Sequence, residues 1–270
     1  MDLPEKDNTK VESMLMSMGK TVDQLKSSDE WLAMLKVQAR FHKYSASNQL
    51  MIYMQNPDAT QVAGFRQWQG MGRQVQKGEK GIKIFAPMTA RDKVDPDKMK
   101  LIGFKLVSVF DISQTQGEPL PLIPWPEAGA CPEGLYDNLC QHAESLDLTV
   151  MIPNDSEHPA LAGARGWYTP ANRTINVRLA SEAGMSATLL HEMGHALDPL
   201  LEQDDSRARK ELVAESCAFV LGMRYGVRLE DEVAHYLASW GGGLDELLSI
   251  VDRVKQVVMA FERSPLLSVA

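Results

Sequence analysis

Residues 191–195 read His191-Glu192-Met193-Gly194-His195. Two histidines four apart on a helix project from one face, close enough to hold one Zn²⁺ ion, and the glutamate between them is then placed to deprotonate water beside it. That arrangement supports metal-dependent hydrolysis. A helix that happens to carry two exposed histidines gives the same letters, so the reading needs further ligands. Catalytic zinc takes three protein ligands and keeps a fourth position open.

The remaining ligand is sought downstream, where Glu211-Leu212-Val213-Ala214-Glu215 runs into Ser216-Cys217-Ala218-Phe219 with helical spacing of its apolar residues. Glu211 and Glu215, four apart, share one helical face. Beside Arg207, Arg209 and Lys210 they also read as an ordinary pair of solvated acids. Asp198, one turn after His195, is a further acid that suits a helix end, a supporting contact or an alternative ligand. A glutamate, two free positions, a small residue and a second acid resembles the third-ligand helix of glutamate-type zincins. The resemblance implies Glu211 as the metal ligand and Glu215 as the acid supporting a ligand histidine, with an exchange of the two roles left open. Zn²⁺ is the expected ion, and another divalent metal suits the same donors. Zincin-like folds also place a strand beside the metal-binding helix, where an extended peptide can pair with its edge. Residues 164–168 and 174–177, around the turn Thr169-Pro170-Ala171-Asn172-Arg173, read as two short strands.

At 270 residues and 44% apolar content the chain can bury a sizeable core and has room for two domains. No apolar run approaches membrane-spanning length, and the charged first ten residues hold no secretory stretch. Cys131, Cys140 and Cys217 lack paired metal-ligand spacing, which suits a reducing compartment, and Cys217 reads as a small buried hydrophobe. The expectation is a soluble cytoplasmic protein with no membrane partner. Net charge is −8, but residues 31–110 hold thirteen Lys/Arg against five Asp/Glu, so this segment carries +8 within an acidic chain. Such asymmetry points to different partners for different parts.

The expected fold class is α+β. Residues 1–27 read as a flexible N-terminal segment, although Val11, Leu15 and the neighbouring methionines have helical spacing. A mixed helical domain with a small antiparallel sheet is expected over 28–117, a proline-rich linker over 118–134 and a mostly helical metal domain over 135–270. Ser27 and Glu30 have capping-box spacing for a helix to about Phe41. A second helix fits 46–55 and stops before Asn56-Pro57. A short helix fits 65–70, strands fit 82–86 and 101–110, and helices fit 135–146, 231–240 and 244–262.

Single-stranded nucleic acid is held by a basic track for phosphates and aromatic faces for bases. The first domain interleaves both, and the expected DNA-binding residues are Arg40, His42, Lys43, Tyr44, Asn48, Arg66, Trp68, Arg73, Lys77, Lys80 and Lys83. Against this stands the plainer reading that Trp31, Phe65 and Trp68 are core anchors and the lysines a solvated face. Trp31, Phe41-His42-Lys43-Tyr44-Ser45, Asn48-Gln49, Gln55-Asn56-Pro57, Phe65-Arg66-Gln67-Trp68 and Gly78-Glu79-Lys80-Gly81-Ile82 resemble the N-terminal domain of ArdC-type antirestriction proteins. The resemblance continues through Val109-Phe110-Asp111, 191–195, 211–215 and Tyr236-Leu237-Ala238-Ser239-Trp240. It implies a single-stranded-DNA-binding domain joined to a zincin-like metallopeptidase domain, in a family carried by plasmids and phages and protecting incoming DNA from restriction.

On that reading Glu192 is the general base, and His235 or Tyr236 steadies the oxyanion unless they are a surface histidine and a packed tyrosine. The protein substrate is unknown; a restriction-system or DNA-associated protein fits the setting. The alternative is a non-catalytic DNA-binding protector with a structural or vestigial metal site. A metal-dependent nuclease suits these ligands less well, because phosphoryl transfer favours carboxylate-rich Mg²⁺ sites.

Overall fold

Apolar residues one helical turn apart draw the start of the chain onto the core. The computed structural model describes residues 5–91, 98–120, 131–153, 163–203, 206–227 and 243–263. Helix α1 (Glu5–Gln24) buries Met18 and Val22, with Leu25 buried just beyond it. The described part of the expected flexible segment is thus helical, and its last turns pack on the core. Helix α2 (Ser28–Phe41) buries Trp31, Met34, Leu35 and Val37. Ser27 occupies its N-cap, but the capping box does not form: the Ser27 hydroxyl donates back to the Gln24 carbonyl at 3.1 Å. Helix α3 (Ala46–Gln55) coincides with the expected span, and the Ser45 hydroxyl accepts from the Asn48 N–H at its start.

Strands β1 (Val62–Gly64), β3 (Ile82–Arg91) and β4 (Met99–Asp111) form an antiparallel sheet ordered β1-β4-β3. Between them lie the short helix α4 (Phe65–Gly70) and strand β2 (Arg73–Val75), which pairs with β5 (Thr115–Gly117). Strands β3 and β4 outrun the expected 82–86 and 101–110 at their hairpin ends. The outer edge of β3 is covered by side chains of α3. Asn48 bonds both the N–H and the C=O of Phe85, at 2.8 and 2.9 Å, and Gln55 does the same for Lys83 at 2.8 and 2.9 Å. Open strand edges invite intermolecular pairing, and these amides close this one.

Helix α5 (Leu135–Ser145) leads into a second sheet ordered β6-β8-β7, formed by β6 (Thr149–Met151), β7 (Gly166–Thr169) and β8 (Thr174–Val177). Among the described residues three helices follow: α6 (Glu182–Leu197), α7 (Arg207–Tyr225) and α8 (Leu244–Phe261). The fold is α+β as expected. Its two halves share one apolar cluster that includes Trp31 and Leu50 as well as Leu189, Val213 and Val254. Polar bonds cross the same junction: Trp31 Nε1 donates to Ser216 Oγ at 3.2 Å, Gln38 Nε2 to the Val251 carbonyl at 2.7 Å, and Arg224 to the Ala39 carbonyl at 2.9 Å. Helices α1–α3 thus pack on the helices of the second half. Most of the expected linker (121–130) and the expected helix 231–240, with His235 and Tyr236, lie outside the described residues. Among the described residues no helix is long and apolar enough to cross a membrane.

Candidate metal centre

Helix α6 starts where the Ser181 hydroxyl accepts from the Gly184 N–H at 3.2 Å, and it buries Met185, Leu189, Leu190 and Met193 against the core. The opposite face carries His191 and His195, half-buried, with ring centroids 4.8 Å apart. Helix α7 crosses α6 at Gly194. A Cβ there would stand 3.0 Å from the Ala214 Cα and 3.1 Å from its carbonyl oxygen, so a side chain at 194 would push α7 away. That close approach brings the acids of α7 over the histidines.

Glu211 Oε2 lies 3.4 Å from His191 Nε2 and 3.6 Å from His195 Nε2, and Glu215 Oε1 lies 3.3 Å from His191 Nδ1. The two faces of the His191 ring edge therefore meet different carboxylates. One atom from each of His191, His195 and Glu211 falls within a 4.8 Å group. Ligands about 2.0–2.1 Å from a tetrahedral ion stand roughly 3.3 Å apart, so the two Nε2–Oε2 separations suit the edges of such a site. Burial opposes a charge on His191, but the Glu211 and Glu215 carboxylates outweigh it and raise its pKa to about 10. The same histidines hold Glu211 well below the usual carboxylate range. Burial raises the pKa of Glu192, partly offset by His191, His195 and the Tyr168 backbone N–H.

The group opens into a cleft of about 880 Å³ whose walls include Trp167, Tyr168, Glu192, Arg207 and Lys210. Among the described residues strand β7 is the sheet edge on the cleft side. It passes close over α6 at Gly166, where a Cβ would meet Thr188 Cγ2 at 2.6 Å. The expected strand pair is present as the antiparallel ladder of β7 and β8.

Asp198 is not with this group. It ends α6, accepts from the Leu200 N–H at 3.0 Å and pairs with Arg253, whose Nε stands 3.1 Å from Oδ1. Its carboxylate is consumed by that buried cation, which sequence spacing gave no means of finding 55 residues away. Cys217 is fully buried, and burial pushes its thiol well up, as befits a small core hydrophobe.

Several expected DNA-binding residues make contacts within the fold. His42 is buried, 2.9 Å from Glu262. Trp68 is buried, with Nε1 donating to the Phe110 carbonyl at 2.9 Å. Asn48 covers the β3 edge, and Arg73 ties β2 to Thr115 at 2.8 Å. Arg40 binds the Ala59 carbonyl at 3.1 Å, and the half-buried Tyr44 packs edge-on against Phe41. Lys43, Arg66, Lys77, Lys80 and Lys83 remain exposed.

The family model for the N-terminal domain of anti-restriction factor ArdC matches residues 11–110. In fold the chain is similar to the antirestriction ArdC protein from the R388 plasmid. The metal-free crystal structure of that protein has a TM-score of 0.56 and 23% identity, covering 81% of this chain and 83% of that one. Its Mn(II)-bound structure has a TM-score of 0.55 and 21% identity, covering 81% and 84%. Among curated proteins, an uncharacterized protein of Bacillus anthracis, pXO2-81, is 23% identical over 87% of this chain and 47% of its own length. The DNA primase TraC of Escherichia coli is 25% identical over 82% of this chain and 17% of its own. The chain thus spans about half of the first relative and a small part of the second.

Proposed function

We propose that this chain, of the ArdC type in its N-terminal domain and its fold, is a metal-dependent peptidase that works on single-stranded DNA, in the service of antirestriction by a plasmid or phage. The observation that carries the reading is the convergence of Glu211 on the Nε2 atoms of both motif histidines, in a cleft bordered by a strand edge. Two imidazoles, once the metal displaces the His191 proton, and one carboxylate, with Glu215 behind His191, form a donor set suited to a divalent ion, Zn²⁺ above all. A crystal structure of the R388 protein with Mn(II) agrees with a divalent metal.

His191, His195 and Glu211 would hold the metal, which supplies a Lewis acid for the scissile carbonyl and the attacking water. Glu192, buried beside them, takes the proton of that water and delivers it to the leaving amine. Its raised pKa suits a group that must both accept and return a proton. An extended peptide laid along β7 would pair with that edge strand and bring its carbonyl over α6. DNA as the other partner is supported by the +8 balance of residues 31–110 and by the name of one relative, a DNA primase. A purely structural metal site has no use for Glu192, which weighs against the non-catalytic protector.

The test is full-length protein incubated with Zn²⁺, single-stranded DNA and candidate DNA-associated proteins, with mass spectrometry of the products. Cleavage, of itself or of a partner, that disappears in Glu192→Gln supports the reading. Cleavage that survives Glu192→Gln contradicts the proposed base, and an absence of cleavage under every condition favours the protector.

A further inference from the structure

Residues opposite each other in an antiparallel pair share one face of the sheet. On β3 and β4 the pairs Ile82–Val109 and Ile84–Val107 turn toward the core, with Ile82, Ile84 and Val109 buried. The other face carries Lys83 opposite Ser108, Phe85 opposite Leu106, and Pro87 opposite Phe104. Phe110 continues the row, and the Phe65 ring meets it edge-on at 6.4 Å. Phe65 and Phe104 are each 48% exposed, whereas Phe85 and Leu106 are partly buried against the core, so the outward-facing aromatic rings are Phe65 and Phe104. Exposed apolar surface of this kind marks a binding site.

Charge identifies the occupant. Strands β1, β3 and β4 and helix α4 contain one acid, Asp111, which is buried and accepts from the N–H groups of Thr60, Gln61 and Ser113. Arg66 adjoins Phe65, Lys80 lies just before β3, and Lys83 shares the face with Phe85; all three are exposed. Lys83 spends one contact on Ser108 Oγ at 2.6 Å and has further N–H donors to offer. Glu79, exposed next to Lys80, accepts from Gln114 Nε2 at 2.7 Å and is outnumbered by these cations. Aromatic faces for bases beside cations for phosphates are the requirements of a single-stranded nucleic acid.

We propose that this face of the β3–β4 sheet is the single-stranded-DNA platform, with bases stacking on Phe104 and Phe65 and phosphates reaching Lys83, Lys80 and Arg66. The inference rests on the DNA-binding part of the function proposed above and moves it from the helices to the sheet. Asn48, Trp68 and His42, committed to the fold, take no direct part.

The test is fluorescence anisotropy of the full-length chain with labelled oligo(dT) and with an abasic oligomer of the same length. Phe104→Ala weakens binding to oligo(dT) about fivefold or more, the lower end of base–aromatic stacking, and leaves the abasic oligomer unaffected. Lys83→Glu weakens both and flattens the salt dependence. Leu179→Ala, a more exposed apolar change elsewhere, leaves both intact. Wild-type affinity of Phe104→Ala for oligo(dT) overturns this platform while leaving DNA binding itself standing, as does equal wild-type affinity for the abasic oligomer. A wild type that ignores oligo(dT) even at low salt overturns DNA binding and the platform together. Phe104-dependent capture of an apolar peptide in place of oligo(dT) also overturns the platform.

Discussion

Removing Arg253 separates a structural acid from a metal ligand at Asp198. The Arg253 and Asp198 side chains are 5% and 1% exposed, and the carboxylate takes both Nε and a terminal nitrogen of the guanidinium. In Arg253→Met the carboxylate stays buried without its counter-charge, and breaking such a pair from one side costs about 3–5 kcal/mol. The Leu200 N–H still reaches Oδ1, which places the expected loss near the lower end, about 3 kcal/mol. With a urea m-value of about 2–3 kcal/mol/M, the unfolding midpoint should fall by about 1–1.5 M. Replacing both partners, Arg253→Met with Asp198→Leu, should recover much of this, because an apolar pair carries no desolvation cost. Folded samples of either variant should bind metal as the wild type does. A midpoint unchanged in Arg253→Met would refute the energetic argument, and metal loss from the folded double variant would return Asp198 to the ligand set.

Asn48→Ala strips the Phe85 backbone of both its partners on the β3 edge and should cost about 2 kcal/mol with increased self-association, measured by urea unfolding and light scattering. Unchanged stability with weaker DNA binding would contradict the assignment. Burial works to raise the pKa of Glu262, but His42 and Arg224 overcome it, so the folded pKa lies below the unfolded value of about 4.3. The stability it contributes is therefore present above about pH 4.3 and lost as pH falls through the folded pKa. Glu262→Gln should be less stable than wild type at neutral pH and converge with it in acid; a gap independent of pH would count against the linkage. Residues 1–125 alone lack the Ser216, Val251 and Arg224 partners of α2 and should show dye-accessible apolar surface, whereas cooperative unfolding of that fragment would show that it folds by itself.

The candidate metal group, as a cluster of His191, His195 and Glu211, was legible because such chemistry fixes its spacing. His191 and His195 must be four apart on a helix, and Glu211 and Glu215 must share a face. Helix α3 and the β7–β8 pair were legible from periodicity and from the turn at Pro170. What sequence left open were partners distant along the chain. Asn48 and Gln55 look the same whether they bind nucleic acid or cover a strand edge, and only the lie of α3 along β3 decides. His42 and Trp68 carry suitable chemistry for DNA, but the core claims them. The outward placement of Phe104 required the strand register, and Phe104 was absent from the expected set. Helix α1 looked frayed because its polar residues outnumber the few that reach the core, Met18 and Val22.

The central claim is that His191, His195 and Glu211 hold one divalent ion beside a catalytic Glu192. Elemental analysis of the full-length chain after Zn²⁺ reconstitution tests it most directly. The account predicts about one equivalent in the wild type and in Glu192→Gln, loss in His191→Ala/His195→Ala and in Glu211→Ala, and a 10–100-fold weaker affinity in Glu215→Ala. A double-histidine variant that keeps its equivalent, or a Glu211→Ala variant that binds Zn²⁺ as tightly as the wild type, would contradict it.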